Sequence, residues 1–242
     1  MERVSRKYKN TYKDISYRWE DDLKDLNLDD WKKEVAYSCS PYTVTHLPAV
    51  VDLINTVEQI IIDDIPGDFV ECGVFMGGSC MIIAEVLKHY NTTRPIWLYD
   101  TFEGVPMPEK YEVTPEGTSL RKWYKQNKLT PEGSMFCYCN LEDVTDNFKT
   151  VGYTGEKHFV KGKVEDTIPD ITPKEIALLR IDVDLAKPTR HVLEHMYPLV
   201  VDCGHIIFDD YGHFPAVKET VDDYLGNVTL EEITYTVRHL VK

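Results

Sequence analysis

Hydrophobic positions change period along this chain. Within residues 43–62, Leu47, Val50, Val51, Ile54, Val57, Ile60 and Ile61 recur at the three- and four-residue spacing of a helix with one buried face. Asp64-Ile65-Pro66-Gly67 then stops that helix. Beyond the break, short apolar runs alternate with helical ones. Residues 68–74 read as a strand, 77–90 as a helix and 96–99 as a strand, followed by a long polar loop with a helix around 118–128. Residues 157–160, 176–182 and 205–208 read as further strands, and 189–196 and 216–225 as helices. The tail, 228–241, alternates in the manner of a closing pair of strands.

Such alternation predicts an α/β fold, a mostly parallel sheet with helices on both faces. No repeat, low-complexity segment or linker interrupts it, so residues 42–242 read as one domain. Residues 1–41 differ: Tyr8, Tyr12, Tyr17, Trp19 and Trp31 stand among Lys and Asp. That composition predicts an N-terminal arm or helical cap rather than core, its aromatics suited to a lid or a dimer contact.

Composition narrows the class. With 43% hydrophobic and 28% charged residues over 242 positions, the chain can bury a core and keep a polar surface. A net charge of −14 argues against nucleic acid and anionic membranes as partners. No apolar run approaches the roughly 20 residues of a membrane span, and Met1 to Lys7 carries no signal-like stretch. A cytoplasmic protein is expected. The six cysteines form no CxxC pair, and Cys137 with Cys139 lacks a second pair to complete a zinc site. Free thiols in a reducing compartment are expected.

Candidate chemistry concentrates where apolar runs end in acids. Leu178 to Asp184 closes on Asp182-Val183-Asp184, and Ile206 to Tyr211 carries Asp209-Asp210. Paired carboxylates at a strand end repel and raise each other's pKa, whereas a divalent cation reverses that balance because it takes hard oxygen ligands. Asp182 and Asp184, two apart on a strand, would face one side. Asp209 and Asp210 would face opposite sides unless the chain turns there, which Tyr211-Gly212 allows; a turn or helix-terminal acid pair is the alternative for these two.

A second pattern points to a nucleoside-containing cofactor. Glu71-Cys72-Gly73-Val74-Phe75-Met76-Gly77-Gly78-Ser79 places glycines between a strand and a helix, where the backbone turns tightly and a ligand can approach. The next strand ends in Asp100, an acid of the kind that accepts ribose hydroxyls. Val74 and Phe75 stand where a dinucleotide site needs a glycine. An acid beside the turn suits a cationic ligand such as S-adenosylmethionine.

These segments also carry a family resemblance. Tyr42-Thr43-Val44, Pro66 to Val74, Asp100-Thr101-Phe102-Glu103-Gly104-Val105-Pro106, Gly162 to Pro169, Arg180 to Leu185 and Asp209-Asp210-Tyr211-Gly212 together resemble the macrocin O-methyltransferase family, enzymes that methylate sugar hydroxyls with S-adenosylmethionine. The resemblance implies a Rossmann-like class I methyltransferase with a seven-stranded sheet. It implies Mg²⁺ ligands at Asp182, Asp209 and Asp210, and a general base at Asp184. The cofactor site is implied at Glu71, Gly73, Val74, Gly77, Ser79, Asp100, Thr101 and Asp182, with adenine near Val164 and Glu165. A homodimer is implied, acting on a glycoside or on a nucleotide-linked or polysaccharide sugar. The chain departs from the family at Ala186, where a Tyr is usual, and at His205, where a Gly is common.

Other residues read more plainly. His191 and His195 share a helix face but lack the HExxH glutamate and read as helix surface. His213 is the one histidine near the carboxylates, with Tyr211 and Phe214 beside it as candidates for the acceptor mouth or for ordinary packing. The expected chemistry is methyl transfer to a hydroxyl of a vicinal diol. A metal-dependent hydrolase or phosphotransferase, and a non-catalytic S-adenosylmethionine-binding module, are the rival readings.

Overall fold

The computed structural model describes residues 19–242; Tyr8, Tyr12 and Tyr17 lie outside the described residues. Seven strands form one sheet: β1 (Asp68–Cys72), β2 (Ile96–Asp100), β3 (Lys157–Lys161), β4 (Ile176–Ile181), β5 (Val200–Phe208), β6 (Glu231–Glu232) and β7 (Arg238–Val241). Their order is β3-β2-β1-β4-β5-β7-β6. β1 to β5 run parallel, and β7 pairs antiparallel with both β5 and β6.

Burial on both faces explains why the central strands read as continuous apolar runs. Successive residues serve opposite layers. Phe69, Leu178 and Ile207 join one core cluster, and their neighbours Val70, Leu179 and Ile206 join the other. The first layer takes helices Leu47–Ile62 and Gly78–His89; the second takes Ala186–Met196 and Pro215–Leu225. All six residues of β4 are buried. Among the described residues no helix is long and apolar enough to cross a membrane.

The N-terminal segment is more than an arm. Trp19 and Leu23 of helix Trp19–Asp25, and Val35, Ala36 and Cys39 of helix Asp30–Cys39, are buried in the first core layer. Its apolar positions are sparse but fall on one helical face, and charged neighbours masked that stripe in the sequence. The following helix starts at Leu47 rather than at residue 43, because Pro48 fits its first turn and His46 holds extended backbone.

The parallel order reverses between β1 and β4, whose carboxyl ends therefore diverge into a crevice, the usual ligand site of such sheets. Four connections at this end matter: the turn after β1, the long segment between β2 and β3, the loop after β4 and the loop after β5.

Candidate functional site

The carboxyl ends of β1, β2, β4 and β5 open into a cavity of 440 Å³, within the range of small-molecule sites. Two glycines set its shape. Gly73 has φ +86°, and a Cβ there would lie 1.7 Å from the Asp182 carbonyl oxygen, so only glycine lets the turn after β1 touch the loop after β4. A Cβ on Gly78 would lie 2.5 Å from the carbonyl oxygen of Tyr42, which lets residues 42–46 close over the start of helix Gly78–His89.

Every predicted site residue except Gly77 lines this cavity: Glu71, Gly73, Val74, Ser79, Asp100, Thr101, Val164, Glu165, Asp182, Asp184, Asp209 and Asp210. Gly77 instead supplies the left-handed residue, φ +89°, from which helix Gly78–His89 starts. His213 and Phe214 also reach the cavity. Tyr211 does not; its hydroxyl donates to Asp222 at 2.6 Å and Lys218 sits over its ring.

The acids are organised by a residue that sequence reasoning passed over. Arg180, the last but one residue of β4, is 2% exposed. Its Nη1 donates to Glu71 Oε1 at 2.5 Å and to Asp182 Oδ2 at 2.6 Å; its Nη2 donates to Asp209 Oδ2 at 2.5 Å and Thr45 Oγ1 at 3.3 Å. One guanidinium thus ties β1, the β4 and β5 loops and the 42–46 segment together. The fixed fork of Arg is suited to this and a lysine is not. An Arg directly before Ile181-Asp182 on an apolar strand was the available signal, since a lone buried cation demands carboxylate partners.

Each clustered carboxylate keeps one oxygen uncommitted. Asp182 and Asp209 give Oδ2 to Arg180, and Asp210 gives Oδ2 to the backbone N–H of Asp184 at 2.9 Å. Among the described residues, the only fully buried side-chain nitrogen or oxygen without a hydrogen bond is Asp52 Oδ2. Among the described residues the three Oδ1 atoms make no hydrogen bond, so they are not fully buried. Among the same residues the Asp184 carboxylate has no hydrogen-bond partner.

Asp184 is not on a strand. β4 ends at Ile181, and Asp184 adopts φ +60°, a left-handed conformation that Asp tolerates better than bulkier side chains. The same-face argument from strand alternation therefore fails, although Asp182 and Asp184 still share the cavity. The turn expected at Asp209-Asp210 is present: β5 ends at Phe208, and the backbone N–H groups of His213 and Phe214 donate to the Asp210 carbonyl.

Burial pushes the carboxyl of Asp184 well above the usual range, with Asp182 and Asp209 adding to it. Asp182 is raised by burial and then by Asp209, against the pull of Arg180. Asp210 is raised by burial and by Asp184. One guanidinium does not neutralise this set.

On the β1 and β2 side, Asp100 braces the glycine turn. Oδ2 accepts from the N–H groups of Val74 and Phe75 at 2.8 and 3.2 Å, and Oδ1 accepts from Phe102 N–H at 2.7 Å and from the Thr101 hydroxyl at 3.3 Å. Glu71 is 1% exposed and held by Arg180 and by the Cys80 thiol, whose Sγ lies 2.8 Å from Oε2. It acts on the cavity through its field and through Arg180. Glu165 pairs with Lys187 at 3.6 Å and Lys163 with Glu132 at 2.7 Å, which fixes the opposite wall.

The remaining walls come from distant sequence: Thr43 to His46, Phe136 and Cys137, and Tyr235 and Thr236. Cys137 is held at φ +47°. All six cysteines are free thiols.

The donor set suits a hard cation. It offers only carboxylate oxygens, three of them uncommitted, in a place where negative charge exceeds positive. Among the described residues, no group of three or more His, Cys, Asp or Glu side chains is placed to hold a metal ion as the chain stands. Asp182, Asp209 and Asp210 are the residues that would hold such an ion.

A profile of the macrocin O-methyltransferase (TylF) family matches residues 9–239. The chain is 32% identical over 193 residues to the 8-demethyl-8-(2,3-dimethoxy-alpha-L-rhamnosyl)-tetracenomycin-C 4'-O-methyltransferase of Streptomyces olivaceus, covering 79% of this chain and 70% of that one. It is 30% identical over 190 residues to the mycinamicin III 3''-O-methyltransferase of Micromonospora griseorubida, covering 78% and 72%. Among solved structures, the O-methyltransferase NovP superposes with a TM-score of 0.72 at 27% identity, covering 83% of this chain and 82% of that one.

Proposed function

The chain belongs to the macrocin O-methyltransferase family and is an S-adenosylmethionine-dependent O-methyltransferase; from that premise we propose that it methylates a hydroxyl of a sugar or other vicinal diol, with Asp184 as base and Asp182, Asp209 and Asp210 as Mg²⁺ ligands. The rival readings as a hydrolase and as a non-catalytic module give way to that membership. The carrying observation is the pairing of uncommitted carboxylate oxygens with a glycine turn on one cavity wall. The tetracenomycin relative, whose name carries a rhamnosyl group, supports a sugar acceptor.

S-adenosylmethionine would supply a methyl group already activated on a sulfonium, and Mg²⁺ held by Asp182, Asp209 and Asp210 would supply a positive centre that orients and acidifies an adjacent diol. The chain's own residues do the rest. Residues Gly73 to Ser79 and Asp100 shape the donor half of the cavity. Asp184, its pKa raised by burial and its carboxylate without a hydrogen-bond partner among the described residues, would accept the proton of the acceptor hydroxyl. A base with a raised pKa is better matched to neutral pH than a free aspartate. Arg180 holds the Oδ2 atoms of Asp182 and Asp209, which aims their other oxygens at the cavity; orientation of this kind governs ligand strength. Val164 and Glu165 flank the region where the adenine would lie.

The test uses methyl-labelled S-adenosylmethionine with a panel of glycosides, each offered with and without EDTA. Label should appear on a sugar oxygen only where a neighbouring hydroxyl is present, and EDTA should abolish it. Transfer to isolated hydroxyls that ignores EDTA would overturn the diol and metal roles while leaving the enzyme class intact.

A further inference from the structure

In a chain of net charge −14, unpaired cations collect on one surface of the segment between β2 and β3. Lys110, Arg121, Lys122 and Lys125, with Ser119 and Gln126, line a groove of 700 Å³ that includes no carboxylate. None of the four forms an ion pair among the described residues; Arg121 reaches the sulfur of Met107 at 3.5 Å. Other cations around the nearby cavity behave differently: Lys161, Lys163 and Lys187 each sit on a glutamate.

The arrangement runs against local stability. Arg121, Lys122 and Lys125 share helix Leu120–Gln126, only seven residues long. The pairs 121/125 and 122/125 stand at the spacings where like charges repel across a helix turn, and a helix this short has little stability of its own to lose. Solvated surface lysines would not need to gather at those spacings. A concentrated patch of one sign attracts a ligand of the other.

Met107 and Trp123 connect the groove to the cavity. Met107, in contact with Arg121, follows Pro106, which lines the cavity. Trp123 of the same helix packs edge-on against Phe136, another cavity residue, with ring centroids 5.2 Å apart. The cavity itself is rich in carboxylates and would repel an anion. A ligand that is a neutral sugar at one end and an anion at the other fits both compartments.

We propose that this groove binds the phosphate or diphosphate of an anionic sugar acceptor, holding the charged group outside while the sugar enters the cavity. The proposal rests on the sugar-hydroxyl reading above and narrows its acceptor class. A nucleoside diphosphate and a lipid diphosphate present the same group to these cations.

The test is calorimetric titration of inorganic pyrophosphate, and separately of UDP and dTDP, into the full-length protein saturated with S-adenosylhomocysteine. The same titrations are run on the triple variant Arg121→Gln/Lys122→Gln/Lys125→Gln and on Lys125→Gln alone. Diphosphate binding should weaken at least tenfold in the triple variant and by less in the single one, and should weaken as salt is raised. S-adenosylhomocysteine affinity should be unchanged, which separates failure of this proposal from failure of the cofactor site. A nucleoside diphosphate that binds more tightly than pyrophosphate marks a nucleotide-linked acceptor; equal affinities mark a diphosphate read without its base, as on a lipid carrier. Absence of diphosphate binding by the folded protein, binding indifferent to all three substitutions, or binding only to anionic vesicles would each overturn the proposal.

Discussion

β5 carries one buried polar cluster within the strand and a second just past its end, and the two are built on opposite terms. Within it, His205 Nδ1 lies 2.9 Å from His239 Nε2, and both Asp52 oxygens lie 3.3 Å from His239 Nδ1. That relay joins β5, β7 and helix Leu47–Ile62 with balanced groups, and only Asp52 Oδ2 lacks a hydrogen bond. Past the strand end, Arg180 faces Glu71, Asp182 and Asp209, with Asp184 and Asp210 beside them. The relay closes on itself; the acid cluster keeps surplus negative charge and oxygens turned to open space. The first arrangement fastens a helix to a sheet. The second is held ready for something positive, at the end of the sheet where such folds bind ligands.

The largest effect should come from the acid cluster's one unpartnered side chain. Asp184→Asn keeps the shape and removes the base, so turnover should fall about 10²- to 10⁴-fold with S-adenosylhomocysteine affinity retained. Single-turnover kinetics beside calorimetry check this, and unchanged turnover would remove Asp184 from the base role. In the wild type, a raised carboxyl pKa means the base is lost as pH falls through that value, so activity should rise with pH and then level off.

Next in size is Arg180→Met. Removing one partner from a buried ion network leaves carboxylates uncompensated, at a cost of about 3–5 kcal/mol. Urea denaturation should show that deficit at pH 8 and a smaller one at pH 5, because the stranded carboxyls take up protons as pH falls. An equal deficit at both values would mean Arg180 acts through packing alone.

The relay should give the smallest effect. Burial, and then His239, lowers the His205 pKa from 6.5 to about 4. The unfolded chain therefore binds more protons than the folded one between those values, and stability must fall as pH drops through that window. His205→Leu should flatten that part of the thermal-stability profile and leave turnover unchanged. A profile identical to wild type would show that His205 does not titrate as a buried neutral imidazole.

The difference between these clusters also marks what the sequence disclosed. The acids were legible because strand ends with paired Asp stand out against apolar runs, and the β-α alternation carried the sheet. Arg180 was hidden inside its motif, since a single letter does not tell a surface cation from a buried hub. The relay joins residues 52, 205 and 239, which no local pattern connects. Phe136, Cys137, Tyr235 and Thr236 reach the cavity from irregular segments whose course is set by tertiary packing rather than periodicity. The helices at Trp19–Asp25 and Asp30–Cys39 were read as an arm or helical cap because so few of their residues are apolar, yet Trp19, Leu23, Val35, Ala36 and Cys39 are buried in the core.

The most direct test of the account is the binding of Mn²⁺, followed by electron paramagnetic resonance, to metal-stripped protein saturated with S-adenosylhomocysteine. The account predicts one saturable ion per chain in the wild type, weakened at least tenfold by Asp210→Asn and spared by His205→Leu. Mn²⁺ that fails to saturate, or binds equally well without the Asp210 carboxylate, would contradict the claim that these acids are held ready for a cation.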